Sequence, residues 1–163
     1  MRVLKLAIIS FVILFLVISA ITSLFPRNVL VSRAVDIHST AERIRPQVKD
    51  LRNWNNWMPL DSSVTFAYND RTNVLQSGNT TITAQNITDS LINTIWKTGQ
   101  NTMNGQFRII QQPNDIVTVQ WQMQERIGWW PWEKLSSLTA DKVLGSSMEK
   151  SLDRLKQLTE QSQ

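Results

Sequence analysis

The sequence predicts an α+β domain, in which a curved antiparallel sheet packs around one long C-terminal helix and an apolar helix precedes them. Residues 141–160 carry apolar side chains at steps of three and four, which is the repeat of a helix with one apolar face. Residues 28–37 and 117–124 alternate between apolar and polar side chains, as half-buried strands do. Residues 6–25 form an uncharged, mainly apolar run. A long amphipathic helix needs an apolar surface to cover, and the strands can supply it.

The composition restricts the class of protein. The chain has 163 residues, which is room for one domain of ordinary size. Only 18% of the residues are charged, which favours a β-rich globule over a charged helical bundle. Arg2 and Lys5 are two of the 17 basic residues, which leaves 15 basic against 13 acidic residues, so we expect no nucleic-acid partner. The absence of cysteine excludes disulfides, thiolate metal sites and a cysteine nucleophile.

The apolar run at residues 6–25 is long enough, as a helix, to cross about 30 Å of hydrocarbon. It is longer than the apolar core of a usual signal peptide and has no clean small-x-small cleavage site, so we predict a retained anchor over the alternative of a cleaved signal peptide. Arg2 and Lys5 favour a cytoplasmic N-terminus. We therefore predict a single-pass membrane protein with a transmembrane anchor at residues 1–26 and an extracytoplasmic domain at residues 27–163.

The first strand, residues 28–37, contains one charged side chain, Arg33, among residues that alternate towards the core. A buried cation needs a partner, and an acidic ligand head group could serve. The alternative is that Arg33 lies at an edge or out of phase.

Two short helices are predicted after this strand. Ser39 and Glu42 have the spacing of a capping box, which predicts a helix from Thr40 that Pro46 kinks or shortens. A second short helix at residues 51–57 has Asp50 as its cap and ends at Pro59.

Alternation of apolar and polar residues, with turn residues in between, predicts the remaining strands at residues 64–68, 74–76, 80–85, 91–97, 103–111 and 117–124. Turns are expected at residues 69–71 and 113–115. Between the fourth and fifth of these strands the turn is either at Asn104-Gly105 or at residues 98–101. We favour the second option, with Gly105 as a bulge, because it keeps Met103 in phase with Phe107.

Residues 127–138 follow neither repeat, so we expect a tryptophan-rich loop that leads into the helix at residue 141. Trp129, Trp130 and Trp132 cannot all be buried in one direction around Pro131. At least one of them should be exposed or lie at a cavity mouth, and an exposed indole could rest on a bilayer surface.

Two segments carry a resemblance to a known family. DLRNWNNWMP at residues 50–59 resembles the Asp-Leu-x-x-Trp-x-x-Trp-x-Pro segment of START-like proteins, in the polyketide cyclase/dehydrase and lipid transport group of the SRPBCC superfamily. Residues 128–158 are similar to the C-terminal signature of that group, with Gly145, Glu149-Lys150 and a Leu-x-x-Leu-Lys ending. The sequence departs from the pattern at Leu60, where many relatives have an aromatic residue.

The resemblance covers about residues 28–160 and implies a helix-grip fold of the START/Bet v1-like kind. About seven antiparallel strands would wrap around the C-terminal helix and leave an apolar cavity between them. Relatives bind lipids, quinones, polyketides or other hydrophobic molecules, and many carry an N-terminal membrane span.

Apolar and aromatic residues of the predicted inner surfaces are the candidates for the lining of such a cavity, with plain core packing as the alternative. Trp54 and Trp57 share a helix face, and Trp121 and Met123 share a strand face. The full set is Trp54, Trp57, Trp96, Phe107, Trp121, Met123, Trp130, Leu144 and Met148. Gly145 and two following serines leave space in the C-terminal helix, which predicts that the cavity borders this end.

No motif places a catalytic, metal or cofactor site. His38 is the sole histidine, and its neighbours Asp36 and Ser39 lie in an extended segment whose successive side chains point to opposite faces, so a triad is not expected. One histidine without cysteine makes a zinc site improbable. The five glycines form no phosphate-binding loop.

The sequence favours a membrane-anchored binding domain for a lipid or another hydrophobic small molecule, without catalysis. One alternative is a cyclase- or hydratase-type enzyme on the same fold, for which His38, Tyr68, Asp50 and Glu125 are loose candidates for an acid or base. The other is a protein-interaction module with a collapsed cavity.

Overall fold

The structure, a computed structural model, describes residues 2–24, 28–58, 66–128 and 130–161, without the side chains of residue 2 and residues 131–140. Its helices are α1 (Arg2–Ser23), α2 (Ala41–Lys49), a 3₁₀ helix (Leu51–Asn56) and α3 (Pro131–Glu160). Its strands are β1 (Asn28–His38), β2 (Ala67–Asn69), β3 (Val74–Ser77), β4 (Thr80–Ile87), β5 (Leu91–Thr98), β6 (Asn101–Gln112) and β7 (Ile116–Arg126).

The seven strands form one antiparallel sheet in the order β1-β7-β6-β5-β4-β3-β2. Each strand from β2 to β7 pairs with the next one along the chain, and β1 pairs with β7. Helix α3 packs on β1, and α2 contacts β6 and α3. A curved sheet around a long C-terminal helix was the predicted architecture, and the structure confirms it.

Each long strand turns one set of side chains towards α3 and the other set outward. On β7 the inner set is buried and contains Val117, Val119, Trp121 and Met123. The register aligns the inner residues of neighbouring strands in rows, for example Val35, Val119 and Ile109 across β1, β7 and β6. We call the side towards α3 the inner face and the opposite side the outer face.

Helix α3 begins at Pro131, ten residues before the predicted helix start, so the expected loop at residues 127–138 is mostly helical. Pro131 is the first helical residue, where its missing N–H costs no hydrogen bond and its fixed φ suits the helix. The first ten residues of this helix show no clear apolar repeat, so the sequence pattern did not predict them as helical. Trp130 precedes it and is 37% exposed, as expected for at least one of the three tryptophans. Trp129 and the Trp132 side chain lie outside the described residues.

The predicted capping box is wrong in detail. Helix α2 starts one residue late, at Ala41, and Thr40 is its N-cap without a side-chain hydrogen bond. The Ser39 hydroxyl instead donates to the carbonyl oxygen of Thr159 at 3.5 Å, which ties the end of β1 to the end of α3. Asp50 does cap the following 3₁₀ helix, because its carboxylate accepts a hydrogen bond from the backbone N–H of Arg52.

Gly105 does not form a bulge. It lies in continuous register between Thr94 on β5 and Met123 on β7. The turn before β6 lies at residues 99–100, as preferred from the sequence, with Gly99 at a φ of +59°. A Cβ on Gly105 would lie 2.8 Å from Trp96 Nε1 and would overlap the Thr94 hydroxyl, so close packing explains this glycine. The bulge lies in β4 instead, between Ala84 and Asn86.

Helix α1 contains one segment, Val3–Ser23, that is long and apolar enough to cross a membrane, with a mean hydropathy of 2.8. A signal sequence near the N-terminus would meet the same criterion. The predicted ends at Phe25 and Pro59 and the start of the strand predicted at residues 64–68 lie outside the part of the chain that the structure describes.

Candidate functional site

A cluster of five aromatic rings covers the centre of the inner face. The 3₁₀ helix supplies Trp54 and Trp57, whose ring centroids are 5.6 Å apart. Three neighbouring strands supply Trp96, Phe107 and Trp121, and Phe107 stacks on Trp121 with centroids 4.9 Å apart. The two groups meet, since Trp54 lies 5.2 Å from Phe107 and Trp57 lies 6.4 Å from Trp121. We call these five residues the aromatic wall.

Hydrogen bonds of the indole N–H groups hold most of the wall in place. Trp54 Nε1 donates to the carbonyl oxygen of Val48, and Trp57 Nε1 donates to that of Gln47, each at 2.9 Å. Both acceptors lie on α2, so the spacing of the two tryptophans ties the 3₁₀ helix to the helix before it. Trp96 Nε1 donates to the Thr94 hydroxyl at 2.9 Å.

Trp121 differs from these tryptophans. Its Nε1 is buried and has no hydrogen-bond acceptor among the residues that the structure describes. An unpaired buried donor of this kind costs roughly 1–3 kcal/mol relative to a paired one. Among the four indole N–H groups of the aromatic wall, that of Trp121 is therefore the one available to a ligand.

The remaining sequence-predicted cavity residues lie around the wall. Met123 and Met148 are fully buried in the same core, and Leu144 is half-buried against it. Trp130 does not belong to this core. The structure thus brings eight of the nine candidate residues together in one apolar core and leaves Trp130 at the start of α3. Their role as ligand contacts remains a proposal.

The inner face is less completely covered at the end of the sheet where β1 and β6 begin and β7 ends. Val29, Glu125 and Met103 form one row across β1, β7 and β6, and all three are half-buried. Leu144 of α3 is half-buried too. In the next inward-facing row, two residues away along each strand, Met123 is 1% exposed. Apolar side chains facing inward at this end therefore keep part of their surface uncovered.

Glu125 is the acidic group of this row. Strand alternation from Trp121 and Met123 places its side chain on the inner face, between Val29 and Met103. Its carboxylate makes no hydrogen bond or ion pair with any residue that the structure describes. Of the four acid or base candidates, Glu125 is thus the one placed beside the partly covered apolar surface.

The other three candidates are engaged elsewhere. The carboxylate of Asp50 accepts from Arg52 Nε at 3.0 Å, and this hydrogen bond lowers the pKa of Asp50 below its ordinary value. The Tyr68 hydroxyl donates to Asn73 at 2.9 Å. His38 is exposed at the end of β1. No group of three or more potential metal ligands occurs among the residues described.

Arg33 faces inward, as the alternation predicts, but its partners lie on α3. Its Nε donates to Glu149 Oε1 at 2.6 Å, and its Nη2 lies 3.1 Å from Asp141 Oδ1. Its Nη1 donates to the carbonyl oxygen of Ser32. The hydrogen bond to Glu149 raises the pKa of Arg33 above its ordinary value. Arg33 lies on the edge strand β1, as one alternative expected, and its partners on α3 make an acidic ligand head group unnecessary.

Gly145 provides the room for this guanidinium. A Cβ on Gly145 would overlap Arg33 Nη2 and lie 2.7 Å from Arg33 Cζ. The glycine therefore permits a strand side chain to lie against the helix backbone. The prediction that Gly145 borders a cavity is wrong, because the Arg33 side chain occupies the space.

Four recesses formed by described residues, of about 300 to 550 Å³, lie away from the space between the sheet and α3. Three lie beside His38, beside β2 and beside the 3₁₀ helix. The fourth, of about 400 Å³, lies on the outer face and is lined mainly by asparagine and glutamine side chains. Sequence reasoning did not single out this recess, although the alternation of β7 places a run of glutamines there.

Comparison with solved structures shows the same fold in other proteins. A START superfamily protein from Mycobacterium smegmatis matches with a TM-score of 0.62 and 20% identity, over 82% of this chain and 99% of that one. An uncharacterised protein from Bacillus thuringiensis matches with a TM-score of 0.64 and 10% identity, over 80% of this chain and 98% of that one. The di-domain ARO/CYC BexL from the BE-7585A biosynthetic pathway gives 0.62 at 14% identity, over 85% of this chain and 52% of that one.

No family model matches the sequence, and no curated protein does. The structural likenesses establish the helix-grip, START-like fold that the sequence predicted.

Proposed function

We propose that this protein is a membrane-anchored domain that binds a hydrophobic small molecule between the inner face of its sheet and helix α3. The observation that carries the proposal is the half-covered pair of apolar side chains, Val29 and Met103, on the inner face beside the aromatic wall. Covering apolar surface with a ligand gains about 25 cal/mol for each Å² removed from water.

The aromatic wall supports this function because it gives the site a fixed side. Its rings contact one another, and Trp54 and Trp57 are also held by hydrogen bonds to α2. A ligand that meets a wall already ordered loses less free energy to ordering of the protein.

Trp121 suggests one further property of the ligand. The indole N–H has no acceptor among the described residues, and an oxygen atom on the ligand would supply one after a small shift of the rings around it. A ligand with a carbonyl or hydroxyl group on an apolar frame would therefore suit the site better than a plain hydrocarbon chain.

Helix α1 supports the membrane part of the proposal. Its side chains are mostly exposed and apolar along the whole segment, and the lipid core of a bilayer would cover them. The anchor would keep the domain near a source of hydrophobic molecules. The basic residues ahead of the apolar run support a cytoplasmic N-terminus and an extracytoplasmic domain.

A second candidate function, a cyclase-type enzyme, is favoured by Glu125. Its carboxylate is half-buried on the inner face beside Met103 and Val29, where a bound ligand would lie. A carboxylate in this place could accept or donate a proton at an enolisable carbon or a hydroxyl of the ligand. Under the binding function alone, the same carboxylate would act as a polar anchor.

The full chain in phosphatidylcholine nanodiscs is the material for the test. It is incubated with oleate, a phosphatidylglycerol or a short-chain quinone, and the complex is analysed by native mass spectrometry after ejection from the disc. The proposal expects a one-to-one adduct with at least one of these probes or with a hydrophobic molecule retained from the host cell. A protein that carries nothing and takes up none of the probes would contradict it.

The variant Glu125→Gln separates the two candidate functions. If the protein only binds, the variant still forms the adduct and the mass of the bound molecule is the same with both proteins. If the protein is an enzyme, the wild type changes the mass or the absorption spectrum of a polyketone probe, and Glu125→Gln does not.

A further inference from the structure

A polar recess of about 400 Å³ lies on the outer face of the sheet, on the opposite side from the aromatic wall. Its size is within the range of small-molecule sites, about 300–1,000 Å³. Six amide side chains line it: Gln85, Asn93, Asn104, Gln106, Gln122 and Gln124. We call this site the amide recess.

Strand register builds the recess. Asn93, Gln106 and Gln122 lie directly opposite one another on β5, β6 and β7. Asn104 and Gln124 form the next row on β6 and β7. Neighbouring strands are about 4.8 Å apart, so the amides form a regular array rather than a scattered polar surface.

The β4 bulge adds one more amide to the array. Ala84 pairs with Thr94 and Asn86 pairs with Asn93, so Gln85 is the extra residue between them. Regular alternation would turn Asn86 inward, but the bulge keeps both Gln85 and Asn86 on the outer side. Bulges commonly serve to redirect a side chain in this way.

The floor of the recess is backbone. Thr94 and Gly105 line it, although the Thr94 side chain is buried on the inner face and Gly105 has none. Leu30, which is 59% exposed, supplies an apolar edge. The lining thus combines peptide groups, amide side chains and one aliphatic side chain, and none of its described residues is titratable.

Most of the amide donors and acceptors that line the recess are available to a ligand. Gln106 Nε2 donates to Asn93 Oδ1 at 3.1 Å, which orients these two amides. The side chains of Gln85, Asn104, Gln122 and Gln124 form no hydrogen bond with any other described residue. Each free amide offers one acceptor and two donor hydrogens.

We propose that the amide recess binds a neutral, hydroxyl-rich ligand of the oligosaccharide class. A charged ligand would find no opposite charge among the lining residues, and a hydrophobic ligand would find only Leu30. Sugar hydroxyls donate and accept, as amides do, and adjacent hydroxyls on a ring can engage both ends of one amide. The C–H face of the ring can pack on Leu30. An extended peptide would instead pair its main chain with a strand edge, and the recess lies on the face of the sheet.

Saturation-transfer difference NMR tests this with the full chain in phosphatidylcholine nanodiscs, in the absence of glycoside detergents. The probes are chitotetraose and maltotetraose, with a neutral blocked tetrapeptide as the rival ligand. We expect saturation transfer to at least one sugar, with a dissociation constant of about 1 mM or lower. The side-chain NH₂ signals of Asn93 and Gln106 should shift along the same titration.

The variant Gln122→Ala/Gln124→Ala should weaken sugar binding about tenfold, because each lost neutral hydrogen bond contributes roughly a factor of 2–12 in affinity. The matched control is Gln100→Ala/Gln111→Ala, with two exposed glutamines outside the recess, and it should bind as the wild type does. Equal melting temperatures exclude unfolding as the cause. No transfer to either sugar, equal binding by all variants, or transfer to the peptide alone would each overturn the proposal. None of these outcomes depends on the ligand proposed for the inner face.

Discussion

The guanidinium of Arg33 on β1 lies against the backbone of Gly145 on α3, with Cζ 2.7 Å from the position that a Cβ of residue 145 would take. Asp141 and Glu149, one helical turn before and one after the glycine, both bind this guanidinium. A charged side chain in a core-facing row and a glycine inside a helix are each unfavourable alone. Together they clamp the C-terminal helix onto the first strand.

This clamp predicts that the effect of Gly145→Ala depends on Arg33. In an Arg33→Ala background the alanine should stabilise the protein by about 1 kcal/mol, which is the usual difference in helix propensity. In the wild-type background the new methyl group displaces the guanidinium from Asp141 and Glu149, so the gain is lost or reversed. The measurement is a double-mutant cycle by denaturant unfolding, with an expected coupling of roughly 0.5–3 kcal/mol. Equal effects in both backgrounds would show that the contact is not made.

Gly105→Ala should destabilise the protein by roughly 1–3 kcal/mol, the usual cost of overpacking a core. The new Cβ would meet the Thr94 hydroxyl, Trp96 Nε1 and Met123 Sδ on the inner face. Thermal unfolding measures the change, and Thr102→Ala, an exposed position on the same strand, is the control. A variant as stable as this control would mean that β6 passes further from the aromatic wall than the structure shows.

Asp50 should contribute to stability in a pH-dependent manner. Its hydrogen bond from Arg52 lowers its pKa in the folded state, so it stabilises the fold above the ordinary carboxyl pKa of about 3.9. This contribution is lost as the pH falls through the lowered pKa. Asp50→Asn keeps a good cap and removes the charge. Unfolding curves should therefore show a small deficit for Asp50→Asn at neutral pH, by less than about 1 kcal/mol, that disappears in acid.

The control for this pH dependence is Asp153→Asn, at an exposed position on α3. It should follow the wild type at every pH. If the deficit of Asp50→Asn stayed constant into acid, the carboxylate of Asp50 would not be held in its charged form by Arg52.

The sequence was sufficient for the fold because alternation and helical repeats directly report which side chains are buried. Trp54 and Trp57 at helical spacing, and Trp121 and Met123 at strand spacing, fell on the inner side as their spacing required. The start of α3 was missed because its first turns have no apolar repeat, although Pro131 is a favourable first residue.

Contacts between segments that are far apart in the chain could not be predicted from the sequence. Arg33 and Glu149 are 116 positions apart, and no local pattern pairs them. The place of the β4 bulge follows from its pairing with β5, so the outward turn of Gln85 and Asn86 could not be read from β4 alone. Glu125 was recognisable as a polar residue on an apolar strand, but its surroundings depend on β1 and β6.

The anchor can be tested by single-cysteine labelling, because the chain has no cysteine of its own. A membrane-impermeant maleimide should not react with Ile13→Cys in spheroplasts until detergent is added, since the bilayer covers this position. Val143→Cys, which is 70% exposed on α3, should react in intact spheroplasts if the domain is extracytoplasmic. Reaction of Ile13→Cys without detergent would contradict the anchor, and reaction of Val143→Cys only after lysis would reverse the orientation.

The central claim, a hydrophobic ligand between the sheet and α3, is tested most directly by two tryptophan substitutions at adjacent positions. Leu144→Trp enlarges a half-buried side chain of α3 that packs against the apolar core, whereas Val143→Trp adds the same side chain at an exposed position of the same helix. We would titrate both variants and the wild type, as full chains in nanodiscs, with the hydrophobic probe that forms the adduct. The account predicts at least about tenfold weaker binding, or 1.4 kcal/mol, for Leu144→Trp and unchanged binding for Val143→Trp. Equal affinity of the two variants for the probe would contradict it.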